Sequence, residues 1–288
     1  MKIIKYYLPD INFNIKVNEN LYNSVKDKVD ESIIYFKKNS NKIINIEYQV
    51  NEEKFERFKK IIKEKDGKIY DSFKNQTHKE VNFNNIFYYL VNTEEYICIK
   101  FNESNYMILV KNNSENSRNW IARIIRELYL REKEDIGFSF MHGTGIEVRN
   151  RGILLLGTSG SGKTTLAVKF MELDENKKFL SNDRVLIDIN NNMDYFPHAV
   201  TYAMGTVKNN KYLDAYFREN NILEKKKKIK YEDATNEFDC NTPLTDVAKV
   251  FDKTEMSART KLTDIIYPRF EKDAEQIEVT EMTREEKM

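Results

Sequence analysis

Arg151-Gly-Ile-Leu-Leu-Leu-Gly157-Thr-Ser-Gly160-Ser-Gly162-Lys163-Thr164-Thr165-Leu-Ala167 is the stretch on which the fold turns. The apolar run GILLL leads into a glycine loop, and Leu166, Ala167, Phe170 and Leu173 lead out with helical spacing. Strand, glycine loop and helix in that order match the G-x-x-x-x-G-K-[ST] phosphate loop. Glycines at 157, 160 and 162 let successive backbone N–H groups turn inward on phosphate oxygens. The helix start adds roughly half a positive charge at the same point. Lys163 supplies a mobile full charge for the β- and γ-phosphates, and Thr164 a hydroxyl for Mg2+. The expected ligands of the loop are therefore a nucleoside triphosphate and Mg2+. The expected contacts are Gly157, Thr158, Ser159, Gly160, Ser161, Gly162, Lys163, Thr164 and Thr165.

Composition points to the same place. The 288 residues include only nine glycines, and seven of them fall between Gly137 and Gly162. The remaining composition works mainly by exclusion. No apolar run reaches the ~18–20 residues of a membrane-spanning helix. The start, MKIIKYYLPDINFNIKV, lacks the continuous apolar core of a signal peptide. Cys98 and Cys240 are too few for a disulfide scaffold or a thiolate zinc site. A cytoplasmic protein is expected. A net charge of +1, from 47 basic and 46 acidic residues, gives no global field for nucleic acid. Neither nucleic acid nor membrane is an expected partner, and a homo-oligomer is compatible with the sequence.

The chain divides near residue 115 into 1–115, a smaller α+β accessory or substrate-binding domain, and 116–288, a phosphate-loop domain of α/β class. In the first part, Ile11–Val17 and Ile43–Val50 alternate as half-buried strands. Leu21–Lys37 reads as helical, and Glu52–Lys65 places Phe55, Phe58, Ile61 and Ile62 on one helical face. Strands are expected at Ile86–Val91, Tyr96–Asn102 and Tyr106–Lys111. Ser117–Lys133 is an amphipathic helix. Trp120, Ile121, Ile124, Ile125 and Leu128 form its apolar face, and Arg118, Arg123, Arg126 and Arg131 form a solvated basic one. Then come strands at Phe138–Met141, Ile146–Val148 and Gly152–Leu156, the last two joined by the turn RNRG, and others at Phe179–Leu180 and Val185–Ile189. Tyr212–Asn220 reads as a helix. Glu224–Lys230, EKKKKIK, reads as a solvated loop or as a surface for an acidic partner. Late strands are expected at Ile265–Tyr267 and Gln276–Val279. Thr283-Arg-Glu-Glu286 has the capping-box pattern that opens a helix.

A phosphate loop alone does not say what becomes of the nucleotide. Acidic residues decide that, and FLSNDRVLID arrives about twenty residues after Lys163, directly behind the loop's own helix. A strand ending at Asn182-Asp183 would bring Asp183 to the phosphates if the strand ends share one sheet edge. Asp183 is the first candidate for Mg2+ or for a substrate hydroxyl, and Asp188 the second. His142 closes the strand SFMH, fifteen residues before Gly157, and is the third member of the expected site. His78 and His198 have no such context and read as structural.

Three segments together resemble a family: His142-Gly-Thr-Gly-Ile-Glu-Val, the 151–167 stretch, and Phe179-Leu-Ser-Asn-Asp-Arg-Val. They look like the catalytic domain of HPr kinase/phosphorylase, a P-loop variant fold shared with phosphoenolpyruvate carboxykinase. The resemblance is close over 138–190 and looser to about 280. It implies transfer of phosphate from ATP to a protein serine with Mg2+. It also implies that Lys163 binds phosphate, that Thr164 and Asp183 serve the metal, and that His142 lies near the acidic pair. Two features depart from the family. Asn182 stands where the family's first acidic residue would be, and Asn cannot take a proton. No later glycine-and-arginine segment of the kind linked to phosphorylase activity is present, and 1–115 does not look like the family's N-terminal domain. The expectation is a divergent, kinase-only relative, of the sort found beside peptide-modification genes. It would phosphorylate a Ser or Thr hydroxyl of a protein or peptide, with Asp183, His142 and Lys163 as catalytic residues. Arg184 or Arg269 would neutralise transition-state charge. A nucleotide-binding regulatory module and a small-molecule kinase are the alternatives.

Overall fold

A computed structural model of the chain describes residues 1–34, 36, 40–71, 77–91, 93–173, 176–269 and 278–282. Its architecture is mixed α/β. The first sheet takes all its strands from the first 110 residues: β1 (Lys2–Leu8), β2 (Ile11–Val17), β3 (Ile43–Val50), β4 (Lys68–Asp71), β5 (Thr77–Phe83), β6 (Ile86–Val91), β7 (Ile97–Asn102) and β8 (Asn105–Val110). Their spatial order is β1-β2-β3-β8-β7-β6-β5-β4. Three helices follow the chain around it: α1 (Tyr22–Asp30), α2 (Glu52–Glu64) and α3 (Glu115–Asp135).

Alternation explains why both faces of this sheet are covered. Tyr106, Ile108 and Val110 of β8 face the main core, whereas Met107 and Leu109 face a smaller cluster under α2 with Phe55 and Ile62. Asn51 caps α2 by accepting from Lys54 N at 2.8 Å, and Ser114 caps α3 by accepting from Ser117 N at 3.1 Å. The apolar stripe of α3 packs as its spacing predicts, with Trp120, Ile121, Ile124 and Ile125 all buried. The main core extends from Ile4 to Phe251, so both large sheets, α1, α3 and α4 share it, while α2 packs on the smaller cluster.

The second sheet contains β9 (Phe138–Met141), β10 (Gly143–Val148), β11 (Arg151–Leu156), β12 (Lys177–Ser181), β13 (Val185–Asp188) and β14 (Asn192–Asp194). A small ribbon pairs β15 (Val200–Ala203) with β16 (Asp239–Thr242). The later strands β17 (Thr254–Met256) and β18 (Arg259–Ile266) complete the second sheet in the order β17-β12-β10-β11-β18-β14-β13-β9. Strand β18 is shared: Arg259–Lys261 pair with β14, and the stretch after them pairs with β11. Helix α4 (Lys163–Met171) follows β11 through the glycine loop. Short helices α5 (Met204–Lys208), α6 (Lys211–Glu219), α7 (Ile222–Lys227) and α8 (Asp246–Val250) lie between β15 and β17 along the chain.

Several expectations are corrected. The helix predicted over Leu21–Lys37 ends at Asp30. The basic run expected as a loop is largely helical, because Ile222 and Leu223 are buried and anchor α7 while the lysines stay outside. Strands β4, β5 and β14 to β17 went unread, being short or weakly alternating. The strand expected at Ile265–Tyr267 is the end of a longer one. Glu278 and Val279 are not in a strand, and Gln276 and Ile277 lie outside the described residues, as does the helix expected at Thr283–Glu286.

A four-membered charge cluster joins distant parts of the chain. Lys133 of α3, fully buried, donates to Asp194 and to Asp10 Oδ2. Arg259 donates to the same two carboxylates, 2.7 Å to Asp194 Oδ2 and 2.5 Å to Asp10 Oδ2. Two cations face two anions, which is what lets such a group be buried.

Candidate active site at the sheet edge

Two strand pairs meet at one edge of the second sheet. Strand β10 runs antiparallel to both β11 and β12, with Gly143 opposite Leu156 and Gly145 opposite Ser181. The C-terminal ends of β11 and β12 therefore lie at the same edge, and the glycine loop leaves from it. The chain also crosses here from one part of the sheet to the other, twice. It passes from β9 to β10 through His142, and from β12 to β13 through Asn182, Asp183 and Arg184. Beyond the crossing, β9 pairs with β13, Met141 opposite Val185. The two crossings thus run side by side.

That geometry brings the sequence candidates together. His142 Nε2 lies 2.9 Å from Asp183 Oδ1, with both side chains about half exposed. Asp183 holds a left-handed backbone, φ 64°. An aspartate tolerates that conformation better than most side chains, and such positions gather at functional sites. Asn182 is buried, and its Oδ1 accepts from Thr144 Oγ1 at 3.1 Å and Thr164 Oγ1 at 3.2 Å. Both lone pairs of that oxygen are in use. Asn182 is a bracket between strand β10 and helix α4, and what it supports is the hydroxyl of Thr164.

Two glycines of the loop hold backbone conformations that favour glycine. Gly160 and Gly162 sit at φ +80° and +92°, where a side chain would be strained although nothing lies within 4 Å of the space it would fill. Gly162 is the residue before α4, so the helix N-terminus opens onto this space. Lys163 is nearly buried and folds back over the loop, donating to the Gly157 and Thr158 carbonyls at 2.8 Å each. Burial lowers its pKa, and the charge of Asp183 acts in the opposite sense. Thr165 Oγ1 is engaged 2.7 Å from Thr206 Oγ1, and Ser161 Oγ is buried without a partner. Ser159 lies in the exposed part of the loop.

These residues fit ATP and Mg2+ on their donor chemistry. A run of positive-φ glycines before a helix N-terminus suits phosphate. Thr164 gives its proton to Asn182 and keeps its oxygen lone pairs for a hard cation, and Asp183 has a carboxylate oxygen beyond the one facing His142. Among the described residues no cluster of three or more His, Cys, Asp and Glu side chains forms a ready-made metal cage.

The other candidates separate. Asp188 is a turn builder, its carboxylate accepting from Asn190 N, Asn192 N and Asn192 Nδ2 at 2.7–2.9 Å. The exposed Arg269 follows Pro268, whose carbonyl lies 3.9 Å from where a Cβ on Gly157 would sit, so it emerges beside the loop. Arg184, half-buried, lies over two rings, 5.5 Å from the Phe140 centroid and 5.6 Å from that of Phe196. His78 lies in the first sheet, 2.7 Å from the Tyr96 hydroxyl. His198, read as structural, stands near the site: burial lowers its pKa, Arg126 and Arg184 push the same way, and Asp183 opposes them. Thr144 was missed altogether, although it lies two residues after His142 on a strand. Among the described residues no helix is long and apolar enough to cross a membrane. Compared with known proteins, the chain matches no family model and no curated protein.

Proposed function

We propose that the chain is an ATP- and Mg2+-dependent kinase that transfers the terminal phosphate to a Ser or Thr hydroxyl of a protein or peptide. The observation that carries this reading is the pairing of His142 with Asp183 at the edge from which the glycine loop departs. The loop amides and Lys163 hold the phosphates, and Thr164 and Asp183 offer oxygens to the metal. Bound Mg2+ would draw charge from the phosphate oxygens as the terminal group leaves. With Nε2–H given to Asp183, His142 keeps Nδ1 as the acceptor for the hydroxyl proton, and Asp183 steadies the imidazolium that results. Positioning and charge do most of the work in phosphoryl transfer, so Asn182 in place of an acid is compatible with turnover.

A second reading has its own support. Asn182 is saturated by two threonine hydroxyls and serves as a structural bracket, which suits a nucleotide-binding module that does not transfer phosphate. Labelled ATP separates the readings. We expect wild type to move the γ-phosphate onto a serine- or threonine-containing polypeptide, and Lys163→Ala and Asp183→Asn to be inactive. Tight ATP binding with ATP left intact beside every acceptor would favour the regulatory module. Label appearing only on a dialysable product would favour a small-molecule kinase.

A further inference from the structure

Beside Asp183 lies a group of cations that the phosphate chemistry does not use. Arg184 follows Asp183 directly and rests on the rings of Phe140 and Phe196. Arg126 comes from α3, and its Nη1 donates to Ser32 Oγ at 3.4 Å. Ser32 in turn accepts from the Tyr195 hydroxyl at 2.7 Å through its carbonyl, so α3, the end of α1 and the Tyr195–Phe196 segment meet here. The ring of His198, kept from charging by burial, borders the group, its Nδ1 held 2.8 Å from the Ala199 carbonyl.

Guanidinium groups that are partly buried normally pair with carboxylates. Here neither Arg126 nor Arg184 forms an ion pair with any Asp or Glu among the described residues. Burial and the neighbouring charges of Arg184 and Arg123 bring Arg126 down to about 10. Like charges are thus held together at a cost in stability, and an anion would relieve it. Planar guanidiniums backed by aromatic rings present their N–H donors in a fixed fork suited to carboxylate or phosphate.

Asp183 links this group to the edge from which the glycine loop departs, since it precedes Arg184 in the chain and lies 2.9 Å from His142. We propose that Arg184, backed by Phe140 and Phe196, and Arg126, held on Ser32, form an acceptor-recognition site that binds the side-chain carboxylate of an Asp or Glu near the reactive hydroxyl. Arg184 adjoins Asp183 in the chain, so that carboxylate belongs to a residue close in sequence to the one whose hydroxyl sits beside His142 and Asp183. This specifies the acceptor of the proposed kinase as an acidic polypeptide segment. It rests on that reading only for the hydroxyl, because the anion site is a binding property in its own right.

Short fluorescent peptides test it by anisotropy with the full chain. Each carries one serine flanked by Glu, by Gln or by Lys, and a further Gln-flanked peptide carries phosphoserine. The Glu-flanked peptide should bind about tenfold tighter than the Gln-flanked one, with the advantage shrinking as salt rises. The Lys-flanked peptide should bind weakest. Arg126→Gln and Arg184→Gln should each remove most of the advantage, and Lys163→Ala should leave it. Arg184→Lys keeps the charge without the fork and should retain only part of it, so a folding failure of the Gln variants does not shield the inference. Equal binding of Glu- and Gln-flanked peptides to wild type would overturn it, as would a Glu advantage that survives both Gln variants. A gain confined to the phosphoserine peptide would also overturn the carboxylate assignment. Nucleotide binding is measured separately. A Glu preference without ATP binding would sink the kinase and keep the anion site, and ATP turnover without a Glu preference would do the reverse.

Discussion

Glycine is distributed unevenly between the two large sheets, and the contrast separates what turns need from what the site needs. The first 110 residues build eight strands with Gly67 as their one glycine. Their tight turns use other residues at positive φ: Asp10 between β1 and β2, and Asn84 with Asn85 between β5 and β6. Two consecutive positive-φ residues suit a two-residue hairpin, and Asn accepts that conformation. The second sheet turns its β10–β11 hairpin in the same way, with Arg149 and Asn150 at φ 52° and 63°. Neither sheet needs glycine for its hairpin turns. Of the glycines between 137 and 162, Gly143 and Gly145 answer to close packing near the crossing edge, Gly152 to the β18 backbone beside it, and Gly157, Gly160 and Gly162 to the loop before α4, while Gly137, at φ 91°, follows the end of α3.

Substitutions at matched positions put this contrast at risk, and the largest effect should come from the element the regions share. Lys133→Met leaves Asp194 and Asp10 with Arg259 alone, and should cost about 3–5 kcal/mol of stability. Because the core is continuous, calorimetry should still show one unfolding transition, shifted down. Two separate transitions would mean that the sheets are energetically independent. Lys163→Ala should do the opposite. Turnover should fall by about 10²–10³ while the denaturation midpoint barely moves. A large loss of stability there would show that Lys163 is a structural cation first.

Glycine swaps come next in size. A Cβ on Gly67 would lie 2.2 Å from the Glu80 carbonyl oxygen, so Gly67→Ala should cost about 1–3 kcal/mol and leave ATP affinity unchanged. Gly160→Ala meets no atom and pays only for its φ, about 1–2 kcal/mol, yet should weaken ATP binding several-fold. Equal effects of the two on ATP affinity would erase the distinction between packing and site glycines.

The smallest effect is a pH dependence carried by one histidine in each region. Burial is the main cause that lowers the pKa of both His78 and His198 below the usual 6.5. The unfolded chain then takes up these protons before the folded one does. Stability from each is present above about pH 6.5 and is lost as the pH falls below it. Replacing either with Gln should flatten the slope of stability between pH 7 and 5. An unchanged slope in His198→Gln would mean that its ring is not buried as described.

The sequence was most informative where geometry is local. The turn RNRG, the run GILLL and the glycine spacing announced β10, β11 and the loop, because each residue answers to its own neighbours. His142 and Asp183 were legible for a related reason: each ends a strand, and strands leaving one edge bring their ends together. The role of Asn182 was not legible. It was seen as a missing acid, but its two threonine partners come from separate elements. Arg126 was read as part of a solvated face, since helical spacing says which side a residue is on and not what waits there. Strands such as β16, DCNT, and β17, TEM, have almost no pattern of their own and exist because a neighbour offers an edge.

The Lys133 cluster has a consequence for how this chain comes off the ribosome. Asp10 is made early, and its partner Arg259 is 249 positions later. At about 5–20 residues per second, Asp10 is in place roughly 12–50 s before Arg259 is synthesised. Lys133 emerges between them, so during that interval it has one carboxylate and then two, but not yet the second cation. The first sheet can form early, but its seam with the second sheet closes only after residue 259 has been made. A nascent chain stalled before residue 259 should therefore be more open to proteases at α3 than one stalled after β18.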